Sequence, residues 1–125
     1  MNKVNEMILN GRYFKFYNYG EDINPIKLLK ELKMYGFEIN KFFLKEDAEM
    51  DMQMMIGEYT LEELENKPSL HLDENDYNFS IPATIYGKNV EIHFFNNSNI
   101  LYMVTDDKDL ELTELFQKKS NKLRF

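Results

Sequence analysis

The sequence predicts an α+β fold, a largely antiparallel β-sheet of about six strands with two main helices packed on one face. Three observations carry that expectation. Segments that alternate polar and apolar residues outnumber segments with helical period. Most are joined by short polar connections that suit hairpins. One stretch, residues 25–35, holds a full set of helix signals. The chain has 125 residues, 43% hydrophobic and 14% aromatic. That is enough for one packed core, and no repeat or Pro/Gly/Ser-rich linker divides it, so a single domain over 1–125 is expected.

Residues 3–9 read as a turn or two of helix, with Val4, Met7 and Ile8 on one face. After Asn10-Gly11, the aromatic run 12–19 favours a strand, with Phe14 and Phe16 inward and Tyr13, Lys15, Tyr17 and Tyr19 on the wetter face. Asn24 suits an N-cap, Pro25 the first helical position and Gly36 a left-handed close. Between them Ile26, Leu28, Leu29, Leu32 and Tyr35 form the apolar stripe of a helix. Residues 37–45 and 48–56 follow as two strands of a hairpin turning at Glu46-Asp47, the second with a stripe of Met50, Met52 and Met54, and Gly57 ends the pattern. Thr60 and Glu63 make a capping-box pair opening a short helix over 61–66 before Pro68.

A short strand is expected over 69–72 and a polar turn over 73–76. Residues 77–86 alternate again, with Tyr77, Phe79, Ile81, Ala83 and Ile85 inward; Pro82 lacks a ladder donor, which places this strand at an edge or a bulge. The turn Gly87-Lys88-Asn89 leads to a strand over 90–95, and the loop 96–99 to another over 100–105. Asp106 or Asp107 caps a final helix through about residue 119, with Leu112, Leu115 and Phe116 inward, and 120–125 form a frayed tail.

Composition excludes several classes. There is no cysteine, hence no disulfide, thiolate metal site or Cys nucleophile, and two histidines fall short of the usual zinc sets. No apolar run approaches the roughly 20 residues of a membrane span, and the N-terminus has no secretory h-region, so the expected compartment is the cytoplasm. The net charge of −7 argues against a nucleic-acid partner. The aromatic and basic face Tyr13, Lys15 and Tyr17 is the one feature that suits stacked bases. That charge is uneven: residues 46–76 hold eleven acids against the single Lys67, a net of −10, while 1–45 are basic and 77–125 neutral.

Catalytic signatures are missing. The acids from Asp73 and from Asp107 fail as calcium loops, because the sixth and twelfth positions carry the wrong residues. The glycines stand singly, so no phosphate-cradling loop forms, and no serine sits in a nucleophile elbow. His71 stands between two leucines. His93 lies two residues from Glu91 on the same strand face, a pairing more often structural than catalytic. No enzyme, cofactor or metal is therefore expected.

A localised negative surface without catalytic machinery points to a non-catalytic acidic protein-binding module. Its concrete form is an immunity-type inhibitor that neutralises a basic partner such as a nuclease toxin, carboxylates standing in for phosphates. The residue usage suits an AT-rich bacterial or phage genome. The expected contact residues are Glu49, Asp51, Tyr59, Glu62, Glu63, Glu65, Asp73, Glu74, Asp76 and Tyr77. The alternatives are a small-ligand or housekeeping module with a pocket between sheet and helices near His93 and Glu91, or a homo-oligomeric subunit joined through the Pro82 strand or a Met-rich edge.

Overall fold

A computed structural model describes residues 1–46, 55–60, 62–63, 66 and 77–115. Among them are seven strands: β1 (Asn2–Leu9), β2 (Arg12–Asn18), β3 (Phe42–Glu46), β4 (Met55–Tyr59), β5 (Tyr77–Ile85), β6 (Lys88–Phe95) and β7 (Ile100–Thr105). They form one sheet in the order β1-β2-β7-β6-β5-β3-β4, every neighbour antiparallel. One helix, α1 (Pro25–Met34), joins β2 to β3 across the three strands between them. With antiparallel pairing throughout, β2 and β3 run in the same direction. The protein is thus mostly sheet with some helix.

The N-terminal segment is a strand, not the expected helix. Asn10 and Gly11 both adopt positive φ, 54° and 75°, the backbone of a two-residue hairpin turn whose twist matches that of paired strands. Glycine reaches that region without a Cβ clash, so the Asn-Gly pair outweighs a weak helical stripe of two turns at most. β1 is exposed along its whole length. Its pairing with β2 shifts between Lys3 and Asn5, and the Asn5 side-chain carbonyl accepts the Glu6 N–H at 2.9 Å. A bulge and an occupied donor both discourage another strand from adding to this edge.

α1 follows its sequence signals. The Asn24 carboxamide oxygen accepts the Lys27 N–H at 3.1 Å. At the other end Gly36 has φ 101°, while the Phe37 N–H reaches the Leu32 carbonyl at 3.0 Å and the Gly36 N–H reaches that of Lys33 at 3.2 Å. These two bonds define a Schellman close, which places a left-handed residue where only glycine fits cheaply. Leu28, Leu29 and Leu32 are buried against Ile81, Ile92, Phe94, Leu101 and Met103 in one core cluster. Each such leucine contributes about 1.5–3 kcal/mol of burial.

Several expected boundaries move. Strand β3 begins at Phe42, with Glu38 making only an isolated bridge to Thr84. Glu46 is a strand residue paired with Met55 and not part of the expected turn, while Asp47 and residues 48–54 lie outside the described residues. Gly57 lies inside β4 opposite Leu44, where pairing overrides its breaking tendency. The Met50, Met52 and Met54 stripe, the 69–72 strand, the 73–76 turn, His71 and the 116–125 segment lie outside the described residues. The Thr60–Glu63 pair forms the N-cap half of a capping box: Thr60 Oγ1 accepts the Glu63 N–H at 3.2 Å and its hydroxyl donates to the Glu63 carboxylate at 3.3 Å.

Strand β5 is interior, so of the edge or bulge expected from Pro82 the edge is excluded. β3 pairs with it only from Phe43↔Ser80 to Glu46↔Tyr77, and contact resumes at Glu38↔Thr84. Pro82 stands in that gap, where no β3 carbonyl waits for the N–H it lacks. The β5–β6 turn is Tyr86-Gly87, at φ 52° and 74°, one residue earlier than expected.

The end of the described chain differs too. Asp107 Oδ1 accepts the Asp109 N–H at 3.0 Å, so this aspartate shapes a turn and caps no helix. The helical turn comes later, at 112–115, with Leu112 and Leu115 buried in the same cluster as α1. No helix among the described residues is long and apolar enough to cross a membrane.

Candidate functional site

Strand alternation gives the sheet two unlike faces. On the helix side, Lys15, Tyr17, Leu101, Met103, Val90, Ile92, Phe94, Phe79, Ile81, Ala83, Ile85 and Leu44 are buried. The expected polarity of β2 is therefore reversed. Lys15 and Tyr17 point to the side of the helix and the 107–112 segment, while Phe14 and Phe16 are half-buried on the other face. The reason lies in the 107–112 segment, which crosses β2 and presents carbonyls that need donors. Lys15 Nζ donates to Lys108 O and Leu110 O, each at 2.6 Å, and lies 3.3 Å from Glu111 Oε1. Tyr17 Oη donates to Glu111 Oε2 at 2.8 Å and accepts the Leu112 N–H at 3.2 Å. A stacking platform of Tyr13, Lys15 and Tyr17 is ruled out, because two of its members are enclosed.

The opposite face carries no helix among the described residues. Across it the register sets one rank of directly opposed residues: Phe16↔Tyr102, Tyr102↔His93, His93↔Ser80 and Ser80↔Phe43. Tyr102 lies 5.3 Å from Phe16 and 4.7 Å from His93, nearly parallel to the imidazole at 10°. Phe14 adds a third ring 6.4 Å from Tyr102. Such offset rings contribute roughly 0.5–1.5 kcal/mol per pair beyond area burial.

Ser80 interrupts this rank. Its small side chain stands between the His93–Tyr102 stack and Phe43, and the next pair along, Asn78↔Phe95, closes one end. The result is a cavity of about 490 Å³ lined by Phe43, Asn78, Ser80, His93, Phe95 and Tyr102, with Phe79 and Phe94 behind it. Phe95 is 55% exposed, a large ring left in water at the cavity's rim. Met7 and Leu9 are exposed too, on β1 at the far edge of the sheet.

The electrostatics are acidic at one side. Glu91 Oε2 lies 3.3 Å from His93 Nε2, and its other oxygen is 3.9 Å from Arg12 Nη1. Arg12 is shared with Asp106, 3.3 Å from its Nε. Burial, and then the Glu91 charge, raise the Tyr102 phenol above its ordinary value, so its hydroxyl stays a neutral donor. The His93–Glu91 pair expected from sequence therefore forms, but on the helix-free face. The space between sheet and helix is filled by the core, which corrects the expected position of that pocket.

Of the acidic contact residues, Glu62 and Glu63 are exposed, and Glu63 also serves the capping box. Tyr59 is half-buried and packs against the core. Tyr77 opens β5. Glu49, Asp51, Glu65, Asp73, Glu74 and Asp76 lie outside the described residues. Glu46, Met55 and Tyr77 are immediate neighbours in the sheet, next to the Asn78↔Phe95 pair. These described ends of the acidic segment therefore share one end of strands β3, β4 and β5. Among the described residues, no group of three or more His, Asp or Glu is placed to hold a metal ion.

Sequence reasoning missed Phe43, Asn78, Ser80, Phe95 and Tyr102 as site residues. Each sits at an ordinary alternating position, and only the cross-strand register reveals the gap that Ser80 leaves. No family model, curated protein or solved structure matches this chain.

Proposed function

We propose that the protein is a non-catalytic binding module for a basic protein, an immunity-type inhibitor acting in the cytoplasm through the helix-free face of its sheet. The observation that carries this reading is the aromatic rank with its cavity, on a face that carries no helix among the described residues and close to described ends of a segment of net charge −10. Aromatic anchors supply most of the affinity of protein interfaces, while surrounding charge supplies rate and partner choice. The reading extends the expected contact surface of acidic residues with Tyr59 and Tyr77 to Phe95, Phe43 and Tyr102.

The test is capture of partners by the tagged full chain from its host lysate in about 50 mM salt, beside a Phe95→Asp variant of equal melting temperature. The expected result is one dominant basic protein, released by rising salt and missing from the variant. Equal capture by both would remove the helix-free face from the interface. Retention of a neutral or acidic protein, insensitive to salt, would overturn the acidic inhibitor.

A further inference from the structure

We propose that the slot above Ser80 receives the guanidinium side chain of an arginine presented by the basic partner. The inference rests on the protein-binding reading and names the group that the cavity takes. Neighbouring strands lie about 4.8 Å apart, so His93 on β6 and Phe43 on β3 stand roughly 10 Å apart across the small Ser80. A space of that width beside ring-bearing walls admits a planar group stacked at about 3.5–4 Å on one of the rings. Phe43, His93, Phe95 and Tyr102 offer aromatic rings, whose faces carry partial negative charge and attract a cation. The Asn78 carboxamide and Ser80 hydroxyl add acceptor oxygens to the wall.

Charge selects the same occupant. Among the described residues no Lys or Arg lines the cavity, the chain is net −7, and the Glu91 carboxylate, which also faces Arg12 at 3.9 Å, stands beside His93 at 3.3 Å. An anionic group would find no cation among the described lining residues. An aliphatic side chain would leave the acceptors of Asn78 and Ser80 without a partner. Guanidinium meets both demands, being flat enough to stack and rich in donors.

The experiment is an NMR titration of the labelled full chain with three uncharged-backbone probes: Nα-acetyl-arginine methylamide and its lysine and norleucine counterparts. Concentrations run to about 50 mM, which reaches millimolar dissociation constants. Expected are saturable shifts of the His93 and Tyr102 ring signals with the arginine probe, at roughly five- to tenfold higher affinity than with norleucine. Ser80→Leu, which fills the slot from a half-buried position on the helix-free face, should abolish the response while the melting temperature is kept. Equal affinity for norleucine, or ring signals that no probe moves, would overturn the arginine slot. Partner capture that still depends on Phe95 in that case would show that the binding face stands and only its occupant was wrong.

Discussion

The Lys15 ammonium is wholly buried 3.3 Å from the Glu111 carboxylate, and it fastens the 107–112 segment across β2. All three ammonium donors have acceptors: two backbone carbonyls and this carboxylate. Glu111 is held in turn by Lys3 at 2.9 Å and by the Tyr17 hydroxyl. Removing one partner from such a cluster strands the others away from water. Lys15→Met, close in volume, should therefore lower stability by about 3 kcal/mol in urea unfolding. A double-mutant cycle with Glu111→Gln should return a coupling of at least about 1 kcal/mol. Additive effects would mean that the two groups do not act as a pair.

The same cluster sets the limits of stability in pH. Burial alone would raise the Glu111 carboxyl, but hydrogen bonds from Lys3 and Tyr17 and the Lys15 charge outweigh it and hold the carboxyl below the ordinary glutamate range. A depressed folded-state value adds stability that is present above the unfolded value, about 4.3, and lost as pH falls through the folded one. On the alkaline side burial raises both Tyr17 and Tyr19, with Glu111 and Glu31 adding to the effect. Raised values give stability that is complete below the ordinary tyrosine value, about 10, and lost above it. Unfolding free energy measured against pH should fall below about 4 and above about 10, and Glu111→Gln should flatten the acid limb. An unchanged acid limb in that variant would assign the loss to other carboxylates.

The two hairpin turns make an internal comparison. Asn10-Gly11 and Tyr86-Gly87 share positive φ at both positions, but Tyr86 is a bulky residue held at φ 52° with its ring 73% exposed. Left-handed backbone costs most side chains about 1 kcal/mol, and asparagine less. Tyr86→Asn should raise stability by about 0.5 kcal/mol, read as a higher urea midpoint at constant slope. A lower midpoint would mean that the exposed ring makes a contact worth more than the strain.

What was legible in the sequence was local. Asn24, Pro25 and Gly36 state the ends of α1 through backbone chemistry that needs no tertiary partner, and α1 follows them. Alternation placed Phe79, Ile81, Ala83 and Ile85 on the core side for the same reason. The polarity of β2 was not legible, because phenylalanines outrank Lys15 in any local scale. Only the carbonyls of Lys108 and Leu110, more than ninety residues away, make a buried lysine favourable. The His93–Glu91 pair could be read from its spacing of two, yet which face it occupies depends on the sheet as a whole. The cavity is a product of register alone, since Ser80 becomes a gap only when β6 and β3 set rings on either side.

Phe94 and Phe95 put the two faces to a direct test. They are chain neighbours in β6, yet Phe94 is 2% exposed and stacked on Phe79 at 4.7 Å, while Phe95 is 55% exposed at the cavity rim. Phe94→Ala leaves a hole in the core and should cost about 3–5 kcal/mol. Phe95→Ala removes a ring that is half in water and should cost less than about 1 kcal/mol. Retention of an exposed ring that adds so little to stability is what a binding surface requires. Loss of Phe95 should then weaken the captured basic partner at least about tenfold, a hot-spot effect, with the melting temperature almost unchanged. If both substitutions destabilise equally, Phe95 is a structural residue, and the helix-free face is covered by the protein itself.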